Sequence, residues 1–283
     1  MDTLVSTEWL AAHMGASDIR ILDATYHPNF PGEPPRDAAA ECAAAHIAGA
    51  QFLDLASLRD TASNLPMMLP SADAFAARLG GLGVGDDTHI VIYDQAPHRT
   101  GSRAWWMCRV FGVTRVSILD GGLAKWQREG RPVRSGTEAK PEPTHLTVRF
   151  DPSVLRSLGQ MRNLVTTGAE QIVDARSASR FSGVEADPRP DTAAGHIPGS
   201  VNLPYPQLFR PDGTFKTADE LRAAFSQAGV RPDRPLALTC GSGITASTLA
   251  VAAHLIGQPA AVYDGSWSEW GSRPDTPKAT TSA

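Results

Sequence analysis

A cysteine that follows a short apolar run and precedes small residues is the group in this sequence best suited to nucleophilic chemistry. Cys240 comes directly after Leu236–Thr239. The loop that follows it is uncharged and consists of Gly241, Ser242, Gly243, Ile244 and Thr245. If a strand leads into a helix here, the sulfur lies at the carboxyl end of the strand and at the amino end of the helix. Backbone N–H groups and the helix dipole would then stabilise a thiolate, or the outer sulfur of a persulfide.

The alternative is that Cys240 is a small buried hydrophobic residue, as most free cysteines are. Spacing alone leaves both interpretations open for this residue. Cys42 and Cys108 lack a comparable loop, and both are predicted to be structural. The sequence contains no Cys-x-x-Cys motif or Cys/His cluster, so neither a disulfide framework nor a zinc site is predicted.

The chain repeats three of its motifs, in the same order, at separations close to half its length. The paired segments are Ile21–Ala24 and Ile172–Ala175, His46–Ala50 and His196–Ser200, and Asp120–Leu123 and Asp264–Trp267. The pattern indicates a duplicated domain, because the units of solenoids and propellers span only about 20 to 50 residues. We predict domains at 1–135 and 155–283, joined by an exposed connector rich in Gly and Pro around Gly130–Pro143.

Short aliphatic runs predict the strands that must position these motifs. Ile90–Tyr93 and Leu236–Thr239 are continuously apolar, which is typical of strands that are covered on both faces in a mostly parallel sheet. Thr245–Ile256 is rich in Ala and is followed by Gly257, which predicts a helix that begins just after the Cys240 loop. Strands followed by helices predict an α/β fold class.

The composition limits the classes of partner. The 283 residues are 42% hydrophobic and 20% charged, and the formal net charge is −4. Since no run of basic residues is present, we expect neither nucleic acid nor membrane as a partner. No apolar run reaches the roughly 18 residues that a membrane helix needs, and no signal or transit segment is recognisable. We therefore expect a soluble, cytoplasmic protein.

These motifs resemble those of the tandem-domain rhodanese-fold sulfurtransferases. The resemblance rests on the Cys240–Ala246 loop, the two Asp-Ala strand ends, the two His-Ile-x-Gly motifs and the Tyr263–Trp270 ending. It implies two rhodanese-like domains, each a mostly parallel sheet flanked by helices. It also implies that Cys240 carries sulfur as a persulfide, without a metal or an organic cofactor.

The uncharged loop is similar to that of the subgroup that uses 3-mercaptopyruvate, whereas members that use thiosulfate carry basic residues there. The resemblance thus implies transfer of sulfur from 3-mercaptopyruvate to a thiol, to cyanide or to a thioredoxin-type acceptor. Two alternatives stay open: a thiosulfate sulfurtransferase with an atypical loop, and a non-catalytic sulfur carrier. A cysteine-based phosphatase is not supported, because Ala246 stands where it would need an arginine.

Two arginines resemble the substrate loop of the family. Arg180 and Arg189 match the positions that bind the carboxylate and carbonyl of the donor, and guanidinium groups suit both. Without the resemblance, such arginines are usually solvated surface charges. Mercaptopyruvate-type members often also carry a histidine and an upstream acid that work with the loop serine, and here Met67 and Ala56 occupy those positions. We therefore expect Ser242 to act alone, with water, or only as a hydrogen-bond donor to sulfur.

The duplication also separates catalytic from structural residues. Alignment of the two copies puts Asp94 opposite Cys240, and an aspartate cannot carry sulfane sulfur. We therefore expect the first domain to be catalytically silent and to form a wall of the active-site cleft. His196 recurs as His46 in the copy without the cysteine, so it is predicted to be structural rather than a base for Cys240.

Overall fold

The computed structural model describes residues 2–30 and 34–281, which form two similar α/β units. The strands of the first unit are β1 (Leu4–Val5), β2 (Ile19–Asp23), β3 (Gln51–Phe52), β4 (His89–Tyr93) and β5 (Val116–Leu119). Its helices are α1 (Thr7–His13), α2 (Ala38–Ala44), α3 (Ala72–Gly80), α4 (Gly101–Val110) and α5 (Gly122–Arg128).

The second unit repeats this succession of strands and helices. Its strands are β6 (Leu155–Arg156), β7 (Gln171–Asp174), β8 (Val201–Asn202), β9 (Leu236–Thr239) and β10 (Ala260–Tyr263). Its helices are α6 (Leu158–Thr167), α7 (Ala178–Ser182), α8 (Ala218–Gln227), α9 (Ile244–Leu255) and α10 (Ser266–Trp270). Short 3-10 helices lie at Pro152–Val154 and Tyr205–Leu208.

Each unit contains one five-stranded parallel sheet. The strand order is β1-β5-β4-β2-β3 in the first sheet and β6-β10-β9-β7-β8 in the second, so the two sheets have the same topology. The two central strands β4 and β9 are buried along their whole length, as expected for strands covered on both faces. The predicted fold class, two α/β domains with mostly parallel sheets, is confirmed.

The predicted strands lie almost where the structure has them. Leu236–Thr239 is β9, and β4 begins one residue before the predicted Ile90. Helix α9 begins and ends one residue earlier than predicted, because Gly243, with a φ of 82°, is its N-cap and Ile244 its first residue.

The repeated motifs have matching structural roles. Trp126 Nε1 donates a hydrogen bond to the Pro132 carbonyl in the first domain, and Trp270 Nε1 donates one to the Pro277 carbonyl in the second. These hydrogen bonds fasten the chain that follows α5 and α10 back to the helix before it.

The connector between the units follows the surface of the first one. It is irregular and largely exposed, yet backbone hydrogen bonds join His46 to Arg134, Thr144 N to Gly80 O, and Arg149 N to Phe111 O. The connector is therefore fastened to the first unit and is not a free spacer. The domain limits 1–135 and 155–283 remain a prediction.

The two units pack through α4 and α9, and one hydrophobic core continues across the boundary between them. At this boundary the guanidinium of Arg103 on α4 lies 2.6 Å from the carboxylate of Asp264, and both side chains are 3% exposed or less. Arg103 also donates to the Met67 carbonyl, and the Leu69 N–H donates to Asp264 at 2.7 Å. A fully buried ion pair thus joins the domains.

The backbone contact to Asp264 has a counterpart on the other side. Asp120 is the repeat equivalent of Asp264, and its carboxylate accepts the Phe215 N–H of the second domain at 2.8 Å. Each domain therefore offers an aspartate beyond a strand end to a backbone amide of the other. Among the described residues, no helix is long and apolar enough to cross a lipid bilayer.

Replacement of the buried carboxylate of Asp264 tests how much the ion pair with Arg103 contributes to the free energy of unfolding. We expect Asp264→Asn to lower the free energy of unfolding by about 3 to 5 kcal/mol, because it leaves the Arg103 charge buried without a counter-ion. Urea unfolding measures the difference. The matched control is Asp219→Asn, whose partner Arg222 is solvent-exposed, and which should leave the urea midpoint unchanged. Equal midpoints for wild type and Asp264→Asn would contradict the assignment.

Candidate active site

The Cys240 loop joins the end of β9 to the start of α9, as the sequence predicts. The Gly243 N–H donates a hydrogen bond to Cys240 Sγ at 3.2 Å. Gly243 adopts a left-handed φ, and a Cβ atom there would lie only 2.9 Å from Arg103 Nη1 and 3.0 Å from Asp264 Oδ1. Glycine is therefore required at this position by its backbone conformation and by the ion pair behind it. The sequence predicts several loop amides around the sulfur. Among the described residues, the Gly243 N–H is the amide that donates a hydrogen bond to Sγ.

The beginning of α10 fixes the other side of the loop. The Trp267 N–H donates to the Cys240 carbonyl, and the Ser268 N–H donates to the Gly241 carbonyl, both at 2.9 Å. The Ser266 hydroxyl accepts the Cys240 N–H at 3.3 Å. These bonds satisfy the backbone of the loop and hold the sulfur in one position relative to α9. The Tyr263–Trp270 motif thus supports the cysteine loop.

The sulfur faces a small cavity rather than the surface. Cys240 is 2% exposed and Ser242 is 8% exposed, and both line a cavity of about 190 Å³. The first domain closes this cavity with Pro28, Phe30 and His98. A cavity of this size holds a small molecule and places it in contact with residues of both domains.

The residues that the sequence singled out meet at this cavity. Six loop residues and two arginines were named, and all but Gly243 line it: Cys240, Gly241, Ser242, Ile244, Thr245, Arg180 and Arg189. The hydroxyl of Ser242 makes no hydrogen bond with the described residues and also lines a neighbouring cavity of about 510 Å³. Ser242 therefore has a donor available for a ligand.

Both arginines are held by a carboxylate that sequence reasoning missed. Asp187 accepts from Arg180 Nη2 at 2.5 Å and from Arg189 Nη1 at 3.0 Å, and its side chain is 1% exposed. A Cβ atom at Gly241 would lie 3.3 Å from Arg189 Nη2 and 3.6 Å from Arg180 Nη2, so both guanidiniums flank the loop. Two cations against one anion leave one net positive charge beside the sulfur. The sequence indicates this role of Asp187 only by its position between the two arginines.

The histidine of the second repeat has a structural environment. His196 Nδ1 is hydrogen-bonded to the Phe181 carbonyl at 2.8 Å, and its ring stacks on that of Phe181 with centroids 3.9 Å apart. His46 Nδ1 is likewise 2.8 Å from a backbone carbonyl, that of Cys42. His196 does not line the Cys240 cavity, in line with the structural interpretation.

The two positions that depart from the family pattern do not line the Cys240 cavity. Met67 is buried and lines the neighbouring 510 Å³ cavity, and Ala56 is exposed. Neither side chain can transfer a proton. A relay through these positions is therefore absent from this chain.

The first domain has a carboxylate where the second has sulfur. Asp94 follows β4 and accepts hydrogen bonds from the Ala96 N–H at 3.1 Å and the Gly101 N–H at 2.8 Å. Burial raises the pKa of Asp94 to about 6 although both amides oppose the rise. Phe209 and Phe215 of the second domain cover this position and leave a cavity of only about 20 Å³. A substrate has no room there.

The other two cysteines are poor nucleophiles. Burial raises the pKa of Cys108 to about 12, and burial together with the charge of Asp23 raises the pKa of Cys42 to about 12. Cys42 lines a separate cavity of about 440 Å³ in the first domain, but a thiol with such a pKa stays protonated at neutral pH. Within residues 2–30 and 34–281, no group of three His, Cys, Asp or Glu side chains is arranged to hold a metal ion.

Comparison with known proteins places this site in a family. The family model of the rhodanese-like domain matches the chain twice, over residues 6–129 and 157–273. The chain is 41% identical to a 3-mercaptopyruvate sulfurtransferase of Escherichia coli K12 over 274 residues, which cover 96% of each chain. It is 42% identical to a thiosulfate sulfurtransferase of Cricetulus griseus over 279 residues, which cover 94% of this chain and 91% of that one.

A solved structure agrees with these relatives. The crystal structure of SseA from Escherichia coli, described as a 3-mercaptopyruvate sulfotransferase with the rhodanese fold, is 38% identical. It aligns with a TM-score of 0.85 over 95% of this chain and 100% of that chain. With both domains matched and the whole architecture shared, this chain belongs to the family of two-domain rhodanese-like sulfurtransferases.

Proposed function

We propose that this sulfurtransferase takes the thiol sulfur of 3-mercaptopyruvate and passes it on as the outer sulfur of a persulfide on Cys240. One observation carries the proposal: Sγ of Cys240 accepts the Gly243 N–H at 3.2 Å and faces a small cavity flanked by Arg180 and Arg189. An anionic sulfur is stabilised there by the amide and by the amino end of α9. The cavity admits a donor of few atoms.

In the first half-reaction, the Cys240 thiolate attacks the sulfur of the donor. A new S–S bond forms and the C–S bond of the donor breaks, with its electron pair leaving on pyruvate as the enolate. The thiol proton of the donor is released as the outer sulfur becomes an anion, and the enolate carbon takes up a proton. No net proton is consumed. Arg180 and Arg189 orient the carboxylate and carbonyl of the donor.

In the second half-reaction, an acceptor removes the outer sulfur. A thiolate or cyanide attacks that sulfur, the S–S bond to Cys240 breaks, and the Cys240 thiolate is regenerated. The acceptors that suit this chemistry are small thiols, cyanide and a thioredoxin-type dithiol. All three cysteines of the chain are free, and a persulfide enzyme needs a compartment that keeps its thiol reduced, so we place it in the cytoplasm.

The charge of the site favours the ketoacid donor. Asp187 neutralises one of the two guanidiniums, and the loop itself carries no charge. The remaining single positive charge matches the one carboxylate of mercaptopyruvate better than the two charges of thiosulfate. The identities to relatives named for either donor, 41% and 42%, are too similar to decide. The second candidate is therefore thiosulfate, which the two arginines could also attract.

Turnover of the two donors by one preparation tests this function. We expect kcat/KM for mercaptopyruvate to exceed that for thiosulfate about tenfold or more, as one better-matched charged hydrogen bond would give. Cys240→Ser is the control and should neither turn over nor gain one sulfur by intact-mass spectrometry. A preference for thiosulfate would overturn the donor, loading without turnover would indicate a carrier, and loading of Cys240→Ser would move the chemistry to Cys42 or Cys108.

Removal of one guanidinium tests the substrate role of the arginines. Arg189→Ala should weaken mercaptopyruvate use by about 1 to 3 kcal/mol, the worth of a charge-assisted hydrogen bond, which is roughly a 5- to 150-fold fall in kcat/KM. Arg222→Ala, on the exposed side of α8, is the matched control. Unchanged steady-state kinetics in Arg189→Ala would remove this arginine from the site.

Selective alkylation tests the identity of the nucleophile. At pH 8 the raised pKa values of Cys42 and Cys108 keep both as unreactive thiols, so iodoacetamide should modify Cys240 first. Peptide mapping of the folded protein reports the order, and the urea-unfolded chain, in which all three cysteines should react, is the control. Earlier modification of Cys42 or Cys108 would contradict the assignment.

A further inference from the structure

The donor half-reaction needs a proton carrier that this chain lacks at the family's usual place. A proton leaves the sulfur of the donor, and a proton must reach the carbon of the departing enolate. The side chains of Met67 and Ala56 cannot transfer a proton, and the Ser242 hydroxyl can pass a proton but not hold one near neutral pH. If 3-mercaptopyruvate is the donor, as proposed above, these protons are carried either by water or by another titratable group in the cavity wall.

Most charged groups in the wall cannot exchange a proton. Arg176 is paired with Asp174 at 2.7 Å, and Arg180 and Arg189 share Asp187, while guanidiniums stay protonated in proteins. Burial raises the pKa of Tyr205, and its hydroxyl donates to the Pro97 carbonyl at 3.2 Å. Such a phenol stays protonated and cannot take up a further proton near neutral pH.

The remaining titratable group in the wall, besides Cys240 itself, is an imidazole from the first domain. His98 lines the 190 Å³ cavity together with Cys240 and Ser242. Its ring meets that of Phe30 edge-on, with centroids 6.2 Å apart. Imidazole is the side chain that both accepts and donates protons near neutral pH. The other seven histidines of the chain lie outside this wall.

The duplication explains how this histidine reaches the cavity that Cys240 lines. His98 lies between Asp94 and α4, in the loop of the first domain that corresponds to the Cys240 loop of the second. Because α4 and α9 pack together across the boundary, the corresponding loops of the two copies approach each other. The loop that lacks a nucleophile can thus present a different catalytic group to the shared cavity.

We infer that His98 is the proton-transfer residue of the donor half-reaction. Neutral His98 takes the proton that leaves the sulfur as the Cys240 persulfide becomes an anion, and it gives a proton to the carbon of the enolate. The electron pair of the broken C–S bond becomes the new C–H bond, and His98 returns to its neutral form. The first domain then contributes to catalysis and is more than the silent wall expected from Asp94.

A proton-transfer role for His98 affects the two donors differently. Cleavage of thiosulfate breaks an S–S bond and releases sulfite, so no carbon has to be protonated. Loss of His98 should therefore slow sulfur loading from mercaptopyruvate and leave loading from thiosulfate unaffected. A merely structural histidine would slow both, since both donors use the same cavity and the same sulfur.

The experiment is single-turnover loading of the full chain, followed by rapid quenching and intact-mass spectrometry. His98→Gln keeps a polar side chain of similar length that cannot carry a proton. We expect the rate of loading from mercaptopyruvate to fall about 100-fold or more, as is typical of a lost general acid-base group. Loading from thiosulfate and the rate of Cys240 alkylation by iodoacetamide should stay within about twofold of wild type. His145→Gln, at an exposed position, is the matched control.

Two further results decide the inference. Imidazole in the buffer should partly restore mercaptopyruvate loading to His98→Ala, because it can enter the space that the side chain leaves. Equal loading rates in wild type and His98→Gln would overturn the inference, and so would a parallel loss of loading from both donors and of alkylation. Failure of the wild-type protein to gain sulfur from mercaptopyruvate would instead refute the proposed function. That result differs from a failure of the His98 inference, in which the wild-type protein still gains sulfur.

Discussion

The guanidinium of Arg103 and the carboxylate of Asp264 are both removed from water, and they can stay charged there only because they face each other across the domain boundary. The pair lies directly behind Gly243, where a Cβ atom would collide with it. The Gly243 N–H is also the amide that bonds the Cys240 sulfur. The position of the nucleophile therefore depends on a residue of the other domain. The first domain therefore supports the Cys240 loop although Asp94 stands where sulfur would be.

The two copies share one architecture and differ in the residue that follows the central strand. Both sheets have the same strand order, and Asp120 and Asp264 each accept a backbone amide from the opposite domain. The loops at the ends of β4 and β9 differ. In the second copy a loop amide donates a hydrogen bond to the Cys240 sulfur. In the first copy the loop amides donate to the carboxylate of Asp94. The first copy contributes Pro28, Phe30 and His98 to the wall of the Cys240 cavity.

Sequence reasoning succeeded where the signal is local and failed where it depends on contacts across the chain. The apolar runs, the glycines of the Cys240 loop and the repeated motifs predicted the fold and the place of the Cys240 loop between β9 and α9, because strand burial and loop conformation follow from neighbouring residues. Arg103 lies on a helix among tryptophans, and nothing near it in sequence indicates Asp264. His98 was not identified for the same reason, since the packing of α4 on α9 brings its loop to the cavity that Cys240 lines. Asp187 was nearer to detection, because it lies between the two arginines that it holds.

The central claim is that sulfur travels through the molecule on Cys240, held by the amide of the loop. A crystal structure of the protein frozen after exposure to mercaptopyruvate tests this most directly. The account predicts density for one additional sulfur bonded to Cys240 Sγ, within the cavity that Arg180 and Arg189 flank and with Gly243 still in its left-handed conformation. Unmodified density at Cys240 in a protein that has released pyruvate, or extra sulfur on Cys42 or Cys108, would contradict it.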